Sequence, residues 1–383
     1  MALLLAALAA PPLSTAHAQS AFYSASNAER RGPPGTVIRT EQIGGAPEGA
    51  TAELVLYRSI GLDGQPIAVS GMVIIPAGPP PHGGRPIVAW AHPTSGVAPR
   101  CAPSLAIFLF QQIQGLRDMV QRGYVVAATD YPGLGTPGPH PYLVGISEGR
   151  AVLDAVRAAR ALPEAGAGRR FAVWGHSQGG QAALYAGLLA RDYAPDIDLV
   201  GIAAAAPATE LATLMNDDLD SAGGKNLTAM TLWSWSRVYG APIDRVLDPA
   251  ALPSVDRLAA DCIESVFDII VRRRIERPLE QRFLTASNLD TVEPWRALLA
   301  SNTPGALPPG IPLFLAQGLA DQLVRPAVTQ DYLGRLCRAG SKVRYLVLPN
   351  ANHAFVARDS APAAVDWIAD RFAGAPAPND CGQ

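Results

Sequence analysis

The sequence predicts an α/β protein: a mostly parallel central sheet with helices on both faces and an inserted helical segment. Three observations carry that expectation. From Pro86 onward, short runs of continuous apolar residues alternate with stretches of helical character, as strands covered on both faces do between crossover helices. One such run, Phe171 to Trp174, meets Gly175-His176-Ser177-Gln178-Gly179 and passes at once into a helix-forming stretch, so strand, sharp turn and helix follow without a linker. Between Pro207 and Ile311 the alternation stops, and it then resumes for two further strand and helix pairs.

At the N-terminus, a short apolar run, Pro11-Pro12 and the small-x-small site Ala16-His17-Ala18 have the layout of a secretory signal peptide over residues 1–18. It is too short to span a bilayer as a helix. The mature chain is therefore expected to be soluble and exported, either secreted or periplasmic. Residues 20–49, rich in Ala, Pro and Gly, read as an irregular arm that wraps the domain. Ala52 to Ile60 and Pro66 to Ile75 are strand-like and joined by a turn with Asp63-Gly64, which predicts an antiparallel hairpin. Further strands are expected at 87–91, 124–129, 171–174, 199–205, 312–317 and 342–348, and helices at 105–122, 147–162, 178–192, 327–338 and 362–372. The core then comprises residues 19–206 and 312–383, with residues 207–311 as a helical cap on the carboxyl edge of the sheet.

A chain of 383 residues that is 49% hydrophobic and 17% charged can bury a large core, which excludes a disordered segment or a small stapled scaffold. A net charge of -2 and the lack of a long basic run argue against a nucleic-acid partner. The nearest approach, Arg272-Arg273-Arg274, lies among Val266, Phe267, Ile269, Ile270 and Ile275 and reads as the solvated face of an amphipathic helix. Cys101, Cys262, Cys337 and Cys381 show no C-x-x-C spacing, so a zinc site is not expected. In an exported chain they predict two disulfides, with three pairings open. No metal or organic cofactor is implied.

A serine hydroxyl needs a base to become a nucleophile, and the base needs an orienting acid. For a serine in a strand-turn-helix setting, acid and base follow it in that order on loops after late strands. Asp321 follows the strand ending at Gln317, and His353 follows the strand ending at Leu348. Of the six histidines, His17 leaves with the signal, His82 lies in a Pro/Gly loop, and His176 is expected to point away across the turn. His92 and His140 precede the serine and read as hydrogen-bonding loop residues, and Asp331 is a reserve acid inside a helix pattern. The oxyanion needs donors as well. The backbone N–H of Gln178, opening the helix, is the first. The loop His92-Pro-Thr-Ser-Gly96 after an early strand offers Thr94 or Ser95 as the second.

Asp130-Tyr-Pro-Gly-Leu-Gly135, Gly138-Pro-His-Pro-Tyr142, Gly175-His-Ser-Gln-Gly179, the Cys101 to Ser104 segment and the late Asp and His together resemble the secretory lipase family of α/β-hydrolases, over nearly all of the mature chain. The resemblance implies the α/β-hydrolase fold and carboxylic ester hydrolysis, with Ser177 as nucleophile, Asp321 as orienting acid and His353 as base. It also implies a helical cap at Pro207–Ile311, a disulfide from Cys101 to Cys262 joining core and cap, and a second from Cys337 to Cys381. Fungal members carry an acidic side chain in the oxyanion loop, where this chain has Ser95.

The cap stretch Leu227, Met230, Leu232, Trp233, Trp235, Val238 and Tyr239 is apolar and aromatic, which makes Trp233, Trp235 and Met230 the candidate substrate contacts. The expected partner is a small-molecule or lipid ester, with transient contact at a lipid interface. A peptidase or amidase on the same fold would call for a pocket charge to hold a peptide terminus, and no acidic pair stands out. A non-catalytic, hydrolase-like binding module would have lost the serine or the histidine, and both are kept. Activity is expected to fall on acidification as the base takes up its proton.

Overall fold

The computed structural model describes residues 21–382 apart from 218–221, 265 and 287, so the signal-peptide assignment lies outside the described residues. Nine strands form one sheet: β1 (Val37–Ile43), β2 (Ala50–Ile60), β3 (Pro66–Pro76), β4 (Arg85–Ala91), β5 (Val125–Thr129), β6 (Ala167–His176), β7 (Asp198–Ala205), β8 (Leu313–Gly318) and β9 (Val343–Leu348). Their order is β1-β2-β3-β5-β4-β6-β7-β8-β9. The pairs from β1 to β5 along that order are antiparallel, and every pair from β5 to β9 is parallel.

The helices are α1 (Asn27–Arg30), α2 (Leu116–Gln121), α3 (Gly145–Ala161), α4 (Gln178–Tyr193), α5 (Leu211–Asp217), α6 (Ala222–Val238), α7 (Leu252–Ala260), α8 (Val266–Gln281), α9 (Trp295–Ser301), α10 (Pro326–Arg338) and α11 (His353–Phe372). On one face α3, α4 and α10 pack Val152, Leu184 and Leu336 against Val173, Ile202 and Leu315 of the strands. On the other, α2 and α11 pack Met119, Val365 and Ile368 against Val88, Trp174 and Phe314, and this core runs on into α5–α9. Both faces of the parallel strands β4 to β8 are thus covered, which is why they read as apolar runs. The described residues between β7 and β8 form helices and loops, with a single bridge among them from Leu247 to Leu284.

Three expectations need correction. The arm at residues 20–49 contains an edge strand, β1. Its Arg39, Thr40, Glu41 and Gln42 blunt the free edge and leave no apolar alternation to detect. The apolar spacing over 105–122 becomes helix only from Leu116, because Gly115 sits at φ +80, a left-handed conformation that interrupts the helix. Leu105, Ile107 and Phe108 are exposed in the turns before it. The last helix begins at His353 and carries Pro362 in its interior, where the missing N–H is tolerated.

Candidate active site

Ser177 stands between β6 and α4 at φ +56, ψ -118, a conformation that a residue with a side chain adopts only under constraint. Its N–H donates to Ala205 O of β7 at 3.0 Å, and its carbonyl accepts from Gln181 N at 3.1 Å, so strand and helix grip it from both sides. The flanking glycines make this possible. A Cβ on Gly179 would lie 1.9 Å from Ala91 O of β4, and one on Gly175 would lie 2.1 Å from Gly179 O.

The loops after β8 and β9 bring Asp321 and His353 to this turn. His353 Nε2 is 2.8 Å from Ser177 Oγ, and His353 Nδ1 is 2.8 Å from Asp321 Oδ2. Since the carboxylate can only accept, Nδ1 carries the hydrogen and Nε2 is left to accept from the serine. Asp321 Oδ1 accepts from Leu323 N and Val324 N, both at 2.9 Å, and Gln317 of β8 supports Oδ2 at 3.5 Å. The reserve acid Asp331 is exposed on α10, away from this group. His176 does not point away: its ring lies 4.9 Å from that of His353 and bonds to the His353 backbone. Burial, with His353 beside it, keeps it well below the ordinary histidine range.

The oxyanion candidates are placed as follows. Gln178 is the first residue of α4, so its N–H has no acceptor within the helix. Thr94 Oγ1 is 2.9 Å from Tyr142 Oη. Ser95 is buried, its carbonyl accepts from Ile263 N at 2.8 Å, and its Oγ has no hydrogen-bond partner among the described residues. His92 is buried with its ring nitrogens 2.7 Å from Pro93 O and 3.2 Å from Asp130 O, and burial pushes it down to about 4.

A narrow cavity of about 30 Å3 lies beside Ser177. Its wall is apolar, drawn from Tyr142, Leu143, Ala208, Leu211, Leu214, Met215, Leu227, Leu323 and Val324, with Gln178 and Thr228. Of α6, it is Leu227 and Thr228 that face it. Trp233, Trp235 and Met230 do not. Trp235 is fully buried, donating from Nε1 to Tyr142 O at 2.8 Å and stacked on Trp295. Met230 packs beside Arg272, and Trp233 is half-buried against the core, with Arg237 over its ring and Nε1 donating to Asp256. Composition marked α6 as apolar, but a helix buried on most of its surface does not reveal which stripe meets a cavity.

One neighbour of the site, Glu148, escaped sequence reasoning; the other, His140, is the hydrogen-bonding loop residue that the sequence suggests. Glu148 of α3 is fully buried, and its Oε1 accepts from Gln178 Nε2 at 2.8 Å and from Leu143 N at 2.9 Å. His140 receives the other Gln178 amide hydrogen on Nε2 at 2.9 Å, because its Nδ1–H is committed to Pro132 O at 2.9 Å. Burial pushes Glu148 up to about 8 and His140 down to about 3, so their 3.7 Å approach joins two neutral groups. The only sequence signal was an acidic residue on the apolar face of a helix. The arginine triplet also needs correction: Arg272 is buried and donates to Asn226 Oδ1, Leu258 O and Asp261 O, while Arg274 is exposed. The side chains of Val266, Phe267, Ile269, Ile270 and Arg273 lie outside the described residues.

A largely parallel sheet covered on both faces, a serine in the turn from a central strand into its helix, and an acid and a histidine after the last two strands define an α/β-hydrolase. The secretory lipase model matches residues 109–380, and the chain belongs to that family. It is similar to a secreted triacylglycerol lipase of Malassezia globosa, 23% identical over 93% of this chain and 79% of the relative. It is also similar to a Mycobacterium tuberculosis protein named a "probable inactive lipase", 26% identical over 93% of this chain and 82% of that one. Among solved structures, Candida antarctica lipase A in its closed state superposes with a TM-score of 0.78 at 19% identity, over 95% of this chain and 88% of that one. The rice cell wall degrading esterase LipA of Xanthomonas oryzae gives 0.68 at 20% identity, over 87% and 95%. Both likenesses establish the fold. Family membership supports carboxylic ester hydrolysis and secretion, and no described helix is long and apolar enough to cross a membrane. The two disulfides join Cys101 to Cys262 and Cys337 to Cys381.

Proposed function

We propose that the protein is an exported serine esterase or lipase that cleaves carboxylic esters through an acyl-enzyme. The observation that carries this reading is the unbroken hydrogen-bonded line from Ser177 Oγ through His353 to Asp321. Ser177 Oγ attacks the ester carbonyl as its proton passes to His353 Nε2, and Asp321 stabilises the imidazolium that results. The proton then goes to the leaving alcohol, and water repeats the sequence to release the acid. The Gln178 N–H supplies one oxyanion donor, and the hydroxyl of Ser95 or of Thr94 the second.

The apolar cavity fits an acyl chain in kind but not in size, so residues 207–311 act as a cap that must shift to admit substrate. Leu105, Ile107 and Phe108, exposed on the loop that leaves the carboxyl end of β4, are the apolar side chains to meet a lipid phase. A non-catalytic reading is raised by the relative named inactive, and the intact line of three residues argues against it here. Fluorophosphonate labelling of the folded protein tests the point. Labelling that disappears in Ser177→Ala, together with hydrolysis of p-nitrophenyl esters, is expected; absence of both would sink the reading. A series of acyl lengths beside a triglyceride emulsion then separates esterase from lipase.

A further inference from the structure

We propose that Glu148 is a positioning residue for this hydrolysis, binding the side chain of Gln178 to the backbone of Leu143 so that the oxyanion donor and the cavity wall are held as one unit. The inference rests on the reading of Ser177 as nucleophile and of the Gln178 N–H as oxyanion donor. Glu148 Oε1 accepts from both partners at once. With the second amide hydrogen of Gln178 on His140 Nε2, and His140 fixed by Pro132 O, the Gln178 side chain has one orientation available. Gln178 and Leu143 both line the cavity beside Ser177. Leu143 is held at φ +54, a left-handed conformation for a residue with a side chain, and its N–H is anchored by Glu148.

The charge state of this carboxyl matters to the chemistry. The titratable groups facing it are His140 and, stacked on that ring, Tyr131, with Tyr185 of α4 and Tyr239 beyond α6. None of them offers a positive charge, since burial keeps His140 neutral. Glu148 Oε2 is buried with no hydrogen-bond partner among the described residues. A carboxylate in such a place is poorly solvated, and burial pushes Glu148 up to about 8. Near neutral pH the group keeps its proton and holds Gln178 without placing negative charge beside a developing oxyanion. Raising the pH removes that proton, and the buried anion then opposes the transition state.

The test is the pH dependence, over pH 6 to 9.5, of kcat and KM for p-nitrophenyl butyrate, followed at the isosbestic wavelength of the released phenol, in wild type, Glu148→Gln and Glu148→Ala. Wild type is expected to lose kcat on the alkaline side with KM flat. Glu148→Gln, a neutral acceptor of the same shape, is expected to lose the alkaline limb and to fall by at most about threefold at pH 7. Glu148→Ala is expected to fall about 10- to 100-fold in kcat at every pH, as a displaced donor would cause. A wild type without an alkaline limb, or a Glu148→Gln profile that keeps it, would overturn the proposal, and the second comparison decides even where Glu148→Ala does not fold. Fluorophosphonate labelling runs alongside. A wild type that neither labels nor hydrolyses removes the functional reading itself, whereas a labelled, active wild type with a profile matching Glu148→Gln removes only the role of Glu148.

Discussion

Asp321 divides its two oxygens between structure and chemistry. Oδ1 accepts from Leu323 N and Val324 N and shapes the loop after β8, while Oδ2 faces His353 Nδ1. Asp321→Asn can keep Oδ1 in place and present an amide N–H to His353, which forces the other tautomer. We expect kcat to fall by about 10³- to 10⁴-fold with little change in melting temperature, a split that ester kinetics beside a thermal melt will show. Gly179→Ala should do the reverse of sparing the fold: its Cβ would overlap Ala91 O, so β4 and α4 must part, at a cost of about 3 kcal/mol or more. A soluble Gly179→Ala protein melting with wild type would contradict the packing described. These residues were legible because turn chemistry and chain order restrict them. Glu148 was not, since its partners lie in other elements and a buried acid on an apolar helix face gives no hint of what it touches.

The insertion shows at the level of elements what pattern can and cannot convey. Its helical character follows from the interrupted alternation, but the pattern gives no sign of Arg272, which lies in α8 and reaches Asn226 of α6, Leu258 of α7 and Asp261 beyond it. A row of three arginines reads as a solvated face because arginine is seldom buried. Here one member faces inward, and the carbonyls at the end of α7 absorb its donors. Arg272→Met keeps the volume but strands those acceptors, at about 1–3 kcal/mol for each group left unsatisfied. We expect limited proteolysis to cut within residues 207–311 faster than in wild type; equal rates would show that Arg272 does not hold these helices together. The parallel strands were read correctly because burial on both faces leaves a continuous apolar signature, whereas the polar edge strand β1 and the start of α11 at His353 carry no comparable mark.

For the whole molecule, two cross-links and a set of buried titratable groups govern when it stays folded. Cys101–Cys262 closes a sequence separation of 161 and Cys337–Cys381 one of 44, and chain entropy assigns the longer about 1 kcal/mol more. Burial pushes Glu148 up to about 8, and Asp130 and Asp154 up to about 6. These carboxyls keep protons in the fold that the unfolded chain releases. Their contribution is complete below the ordinary carboxylate range and is lost as pH rises through the folded values. His92 and His140, pushed down to about 4 and about 3, act with the opposite sign: their contribution is present above the ordinary value of 6.5 and is lost as pH falls through the folded values. The two sets oppose each other in mildly acidic solution. About one pH unit above the ordinary histidine value of 6.5 the histidines are nearly neutral in both states and the two aspartates are ionised, so Glu148 alone of these five goes on lowering stability as pH rises through about 8. The slope is on the order of 1 kcal/mol per pH unit. Chemical denaturation from about pH 7.5 to about pH 8.5 should therefore show stability declining in wild type and a flatter line in Glu148→Gln, and parallel lines would mean that Glu148 ionises in the fold as it does in the unfolded chain.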